Sequence, residues 1–134
     1  MEAHSNFLVI DDDLVNNLIC KLTIEQALGK VNIKTFDVPE KGLTYIQNEY
    51  IDCKDNIPIV FFLDINMPTM SGWEFLEQFE DFPEETKKCF IIYILSSSVD
   101  ERDIKRAEQN KNVKAFLTKP LSVEVINKVA REAQ

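Results

Sequence analysis

Two textures alternate along the length of this chain, and few folds accommodate such an alternation. Short β-rich runs occupy residues 7–10, 31–36, 59–63, 90–95 and 113–117, and segments with helical spacing follow each of them. Three of the runs are nearly unbroken in apolar residues, Ile59-Val60-Phe61-Phe62-Leu63 most plainly. A strand that is wet on one side alternates, whereas a strand in a parallel sheet covered by helices on both faces reads as continuous apolar chain. Five strands, each followed by a helix and joined by right-handed crossovers, predict an α/β fold built on an open parallel (βα)5 sheet.

Two orders are common for such sheets, and the flavodoxin-like order 2-1-3-4-5 is the expectation here; it comes from the architecture, not from individual residues. The helices are legible from their spacing. Leu14, Leu18 and Leu22 fall four apart with Val15 and Ile19 beside them, giving the first helix one broad apolar face of the kind that packs on a sheet. Leu43, Ile46 and Tyr50 do the same for the second, Phe75, Leu76 and Phe79 for the third, and Val125, Ile126 and Val129 for the last. Asp37-Val38-Pro39-Glu40, Ser71-Gly72-Trp73-Glu74 and Ser98-Val99-Asp100-Glu101 each fit a capping box, in which the first side chain and the acid three places on satisfy each other's backbone amides. Polar residues 48–56 read as a loop, and 81–88 as a loop or a short helical extension.

Composition removes several function classes. The 134 residues suit one domain, 1–134 with its core at about 7–130. Fifteen Lys and Arg against 23 Asp and Glu leave a net charge of -8, a field that repels nucleic acid. Cys20, Cys53 and Cys89 form no C-x-x-C pair, so neither a disulfide scaffold nor a zinc site is indicated, and Cys20 reads as small apolar filling in the first helix. The longest apolar run, 57–63, contains Pro58 and is too short to cross a bilayer as a helix, and no apolar signal stretch precedes Phe7; membrane insertion is not expected, and a cytoplasmic location is. Neither G-x-G-x-x-G nor a P-loop appears among only three glycines, which disfavours a nucleotide fold. His4, the sole histidine, lies in a terminus expected to fray and is not a catalytic candidate.

In a sheet of this kind ligands bind beyond the carboxyl ends of the strands, where strand order reverses, here between strands 1 and 3. Strand 1 ends in Asp11-Asp12-Asp13, strand 3 in Asp64, strand 4 in Ser96-Ser97-Ser98 and strand 5 in Thr118-Lys119-Pro120. Carboxylates gathered at one point repel, so a cation is their natural neutraliser, and oxygen-only ligands favour Mg²⁺ or Mn²⁺ over zinc. Asp13 also suits a local capping role at the first helix. Asp64 directly follows a strand that should be central and buried, and a charge there needs a partner or a purpose. Lys119 offers an ammonium that can pair with a carboxylate or a phosphoryl oxygen, and Ser96 a hydroxyl donor to an anion. Acids, a divalent ion, a hydroxyl and a lysine at one edge form a phosphoryl-handling set.

These residues resemble the receiver domain of two-component response regulators. The likeness rests on Phe7-Leu8-Val9-Ile10-Asp11-Asp12-Asp13, on Leu63-Asp64-Ile65-Asn66-Met67-Pro68-Thr69-Met70-Ser71-Gly72, on Ser96 followed by the small Ser97, and on Lys119-Pro120. Spacings of 52 residues from Asp12 to Asp64, 32 to Ser96 and 23 to Lys119 suit the family. The resemblance implies that Asp64 accepts a phosphoryl group from a phosphohistidine on a sensor histidine kinase or a histidine phosphotransfer protein. It implies Mg²⁺ held by Asp12, Asp64 and the main-chain carbonyl of Asn66, with Asp11 acting through water, and Lys119 pairing with the acids and then with a phosphoryl oxygen. Ser96 would draw its loop inward after phosphorylation, and Phe116 would be the switch aromatic. Such a domain catalyses its own phosphorylation and slow dephosphorylation without being an ordinary turnover enzyme.

No output domain is expected after Gln134, although a piece of a longer regulator would read the same, and the resemblance then implies a stand-alone receiver that acts by protein binding or onward phosphotransfer. The face built from the fourth helix, last strand and last helix is then the expected site for a downstream protein or, in a homodimer, a second copy. Serine at 96 in place of the more frequent threonine, phenylalanine at 116 in place of tyrosine, and Ser71 in place of a common aspartate depart from the pattern without touching the acids or the lysine. A haloacid-dehalogenase-like phosphatase would want a second acid where Asn66 stands, and a flavodoxin-like electron carrier would want a phosphate loop where three acids stand. A receiver fold that signals without phosphate would have no use for the full residue set.

Overall fold

A strand of five buried apolar residues needs hydrogen-bonding neighbours on both edges, and β3 (Ile59–Leu63) has them. It pairs in parallel with β1 (Asn6–Ile10) on one side and β4 (Phe90–Ser96) on the other. β2 (Asn32–Phe36) and β5 (Val113–Thr118) stand at the edges, so the observed order β2-β1-β3-β4-β5 is the expected one. The structure, a computed structural model, describes residues 6–50 and 57–133; His4, Cys53 and most of the loop expected over 48–56 lie outside the described residues.

The helices are α1 (Leu14–Leu28), α2 (Pro39–Tyr50), α3 (Gly72–Glu80), α4 (Glu84–Lys87), α5 (Glu101–Gln109) and α6 (Val123–Glu132). Successive strand side chains point to opposite faces, and two cores follow. Leu8, Ile10, Phe61, Leu63, Ile92 and Ile94 pack with Ile46 of α2, Phe75 and Phe79 of α3 and Ala107 of α5. Phe7, Val9, Val60, Phe62, Tyr93 and Leu95 pack with Cys20 and Ile24 of α1 and Ile126 and Val129 of α6. Gly42 lets α2 lie directly on Ile10, whose side chain occupies the space a Cβ would need. No helix among the described residues is long and apolar enough to cross a membrane.

Several local expectations are corrected. The broad apolar face of α1 does not pack on the sheet: Leu14, Val15, Leu18, Ile19 and Leu22 are exposed, while Asn16, Asn17, Cys20 and Ile24 are buried. The inward positions are taken by asparagines because, as shown below, the acid run needs their amides. The polar run at 48–56 is helical as far as Tyr50. At α2 the first helical bonds, from the amides of Lys41 and Gly42, reach the carbonyl of Val38, so Asp37 stands outside the cap position. At α5 the cap is Asp100, which accepts from the Arg102 amide, while Ser98 accepts from Asp100 one step earlier. The Ser71–Glu74 capping box of α3 forms as expected. The segment 81–88 holds the four-residue α4, whose Lys87 reaches back to Glu80. Cys20 is a buried free thiol, whereas Cys89 is disulfide-bonded, a link that the cysteine spacing did not suggest.

Candidate functional site

Register brings the acids together. Ile10 of β1 is paired with Leu63 of β3, and the Asp64 amide donates to the Ile10 carbonyl at 3.0 Å, so the residues that follow, Asp11 and Asp64, emerge side by side. Both are nearly inaccessible, at 1% and 6% exposure, while Asp12 is exposed. Carboxylate oxygens of Asp11, Asp12 and Asp64 lie within 4.8 Å of one another. Asp13 belongs to the helix instead: its Oδ1 accepts from the amides of Val15 at 2.9 Å and Asn16 at 3.3 Å, capping α1.

Lys119 arrives from the far side of the sheet. Ser96 and Thr118 are register partners, and the Lys119 amide donates to the Ser96 carbonyl at 2.9 Å, just before a cis peptide to Pro120. From there its Nζ lies 2.6 Å from Asp11 Oδ2 and 3.7 Å from Asp64 Oδ1. The Asp11 carboxylate has two more donors, the Asp13 amide at 2.9 Å on Oδ1 and the Asn16 Nδ2 at 2.7 Å on Oδ2. Asn17 donates to the Asp11 carbonyl at 2.9 Å and holds the strand end itself.

Burial, and then the neighbouring Asp11 charge, push the Asp64 carboxyl up to about 6; Lys119 and backbone hydrogen bonds from Asn66 and Ile65 offset part of this. For Lys119 burial works against the charged form, but the hydrogen bond to Asp11 and the charges of Asp11, Asp64 and Asp13 outweigh it and hold the ammonium above its ordinary value. Three carboxylates thus face one ammonium, and the remaining negative charge suits a divalent cation. The donors are all hard oxygens, which fit Mg²⁺ or Mn²⁺.

The other expected residues sit close by in the chain, with different surroundings. Ser96 ends β4 inside the strand and is fully buried; its Oγ accepts from the Ser98 amide at 3.1 Å, which leaves its own proton to donate. Asn66 is exposed in the connection to α3. Phe116 is half-buried on β5, beside Ile94 and against the core that α3 and α5 cover. Gly72 fixes how closely α3 approaches: a Cβ there would lie 2.5 Å from the Asp64 carbonyl oxygen and 2.8 Å from Ile65 Cα. Asn16 and Asn17 are the site residues that sequence reasoning missed. Their signal was two amides in the otherwise apolar opening stretch of a helix, residues 14–20, just after an acid run short of donors.

A model of the response regulator receiver domain matches residues 7–131. Among solved structures, a two-component response regulator from Cytophaga hutchinsonii is 26% identical, covers 98% of each chain and superposes with a TM-score of 0.87. A response regulator receiver protein from Dyadobacter fermentans is 24% identical over 96% of each chain, with a TM-score of 0.84. The chemotaxis response regulator CheY4 of Vibrio cholerae shares the fold at 20% identity, 100% coverage of both chains and a TM-score of 0.73. Among curated proteins nothing matches. With the receiver model matched over nearly the whole chain, and two buried aspartates under one lysine at the switch point of a 2-1-3-4-5 sheet, the chain belongs to the response regulator receiver domain family.

Proposed function

We propose that Asp64 is the phosphoacceptor of a cytoplasmic two-component phosphorelay, fed by a phosphohistidine on a sensor histidine kinase or histidine phosphotransfer protein. The observation that carries this reading is the buried Asp64 carboxylate beside Asp11, with the Lys119 ammonium in reach of both. In the transfer an Asp64 oxygen attacks phosphorus, the P–N bond to the imidazole breaks, and a P–O bond to the carboxylate forms. Water later attacks the same phosphorus and releases inorganic phosphate, returning Asp64 to a carboxylate.

Asp12, Asp64 and the Asn66 carbonyl would hold Mg²⁺, with Asp11 acting through water; when bound, the ion offsets phosphoryl charge. Lys119 supplies fixed positive charge for a phosphoryl oxygen and is held near the acids by Asp11. Ser96 has a proton to donate to the modified Asp64, which would draw its loop inward and vacate space for Phe116. The face of α5, β5 and α6 is the output surface in this reading, for a downstream protein or a second copy. Arg106 of α5, stacked 4.7 Å over the Trp73 ring, gives that face a contact to α3.

The exposed apolar side of α1 supports a place for the phosphodonor. It begins at Leu14 and Val15, immediately after the acid run, and continues through Leu18, Ile19 and Leu22. A donor must cover the pocket mouth, and these residues extend that contact along α1 for about 12 Å at 1.5 Å per residue. So short a stripe suits a transient partner presenting an apolar helix more than a stable dimer, which buries about 800 Å² on each side.

Intact mass after incubation with acetyl phosphate and Mg²⁺ tests the phosphoacceptor. The wild type should gain one phosphoryl group and Asp64→Asn none; equal labelling of both overturns the assignment.

A further inference from the structure

Helix α1 is turned with its asparagines inward, and the reason lies at Asp11. A carboxylate buried to 1% exposure must have its lone pairs satisfied and its orientation fixed, or it will neutralise or rotate. The Lys119 ammonium alone does not fix it, since a flexible four-carbon chain carries a point charge that imposes little direction. The Asp13 amide fixes Oδ1, and the Asn16 amide, at 2.7 Å, fixes Oδ2, the oxygen that also meets Lys119. Asn16 is itself immobilised: it is buried to 7% exposure, its backbone amide is taken by Asp13 Oδ1, and its Nδ2 also faces Cys20 Sγ at 3.6 Å. Residues 11, 13 and 16 therefore form one hydrogen-bonded unit that joins the end of β1 to the first turn of α1.

We infer that Asn16 is a positioning residue for the acid pocket, holding the Asp11 carboxylate in the orientation that Lys119 and a divalent cation require. This rests on the phosphoacceptor reading above and adds to it a residue that touches neither phosphoryl group nor metal. The amide is suited to the task because it donates without bringing a charge. An aspartate at 16 would add a carboxylate to an acid cluster, and an apolar residue would leave Asp11 one donor short. Groups that orient a metal site's carboxylates typically carry about 10- to 100-fold in metal affinity.

The test is Asn16→Leu, which keeps the approximate shape and deletes the donor, with Gln26→Ala on the exposed side of the same helix as control. Mg²⁺ affinity by calorimetry should fall at least about 10-fold in N16L and stay at the wild-type value in Q26A. Acetyl phosphate labelling of N16L should need correspondingly more Mg²⁺ for half-saturation and recover at high Mg²⁺. An N16L affinity within about two-fold of wild type, in place of the loss of about 10-fold or more, overturns the inference. A second measurement needs no variant to fold: in metal-free wild type the Asn16 side-chain amide protons should exchange slowly with solvent. Exchange as fast as an exposed asparagine also overturns it. Failure of wild type to bind Mg²⁺ or take up phosphoryl would instead sink the phosphoacceptor reading, so the two failures are distinguishable.

Discussion

Asp11 and Lys119 are joined at 2.6 Å although they leave strands that are not neighbours. β1 and β5 are three strand spacings apart, about 14 Å at the usual 4.8 Å per spacing. The lysine crosses the ends of β4 and β3 to make the contact, and it is anchored at its own backbone by the Ser96 carbonyl at 2.9 Å. One long side chain thereby ties the edge of the sheet to its centre, and the same Nζ lies 3.7 Å from Asp64 Oδ1.

The three acids after β1 should not be equivalent toward Mg²⁺. Asp13 is engaged in capping α1 and Asp11 is held by Lys119, Asn16 and the Asp13 amide, whereas Asp12 is exposed at the pocket mouth. Calorimetric titration of the alanine variants should show the greatest loss of affinity for Asp12→Ala. Asp13→Ala should instead lose about 1 kcal/mol of stability as a missing cap. If it were the weakest binder of the three, the assignment within the acid run would be off by one.

Mg²⁺ affinity should also fall as the pH drops below about 6, because Asp64, pushed up to about 6 in the metal-free protein, must lose its proton to bind. The same raised carboxyl makes the metal-free fold less stable as pH rises from about 4 to 6, since the folded state holds this proton more firmly than the unfolded chain. Asp64→Asn removes both dependences. Unfolding curves and titrations at pH 5 and 7 check them, and an unchanged slope in the variant would count against this origin.

Gly72→Ala should be costly out of proportion to one methyl group. The new Cβ would press on the backbone of Asp64 and Ile65, which cannot rotate away as a side chain could. A loss of about 1–3 kcal/mol in urea unfolding is expected, with slower acetyl phosphate labelling because the Asp64 backbone must shift. Labelling at the wild-type rate would show that α3 can retreat without moving the site.

Glu80 predicts a separate acid sensitivity remote from the pocket. Hydrogen bonds from Lys111 and then Asn112 hold its carboxyl down at about 2, joining α3 to the start of β5. A depressed folded value means that its stabilisation is complete above the ordinary carboxylate range and is lost as pH falls from about 4.5 toward 2. Subtracting the unfolding profile of Glu80→Gln from that of wild type should isolate this window, and added salt should narrow it. A difference that is flat with pH would remove Glu80 as its cause.

The α1 stripe can be separated from the chemistry of the pocket. Leu18→Asp alters a residue that is 55% exposed, so folding and acetyl phosphate labelling should be retained. Transfer from a phosphorylated histidine phosphotransfer protein should slow by at least about ten-fold, as loss of about 1.4 kcal/mol of docking would produce. Unimpaired transfer would place the donor contact elsewhere.

Coupling to the output face should run through the Ser96 hydroxyl. Backbone amide shifts on adding beryllofluoride should reach Ile104 and Phe116 in wild type and stay confined to the acid pocket in Ser96→Ala. Equal spread in both proteins would exclude the serine as the link.

Local signals sufficed for the strands, the parallel sheet and the strand-end placement of Asp11, Asp12, Asp64, Ser96 and Lys119, because continuous apolar runs and their polar terminators can be read along the chain. Periodicity also determined that α1 has a broad apolar side, but not where that side points. Tertiary structure decided that: the buried Asp11 needed an uncharged donor, Asn16 supplied it, and the leucines were carried outward. The starts of α2 and α5 were likewise beyond sequence, since several residues in each stretch can act as a cap and only the surrounding packing selects Val38 and Asp100. The meeting of Lys119 with Asp11 and Asp64 lay furthest from local chemistry, because it depends on strand order and on one side chain spanning the ends of two intervening strands.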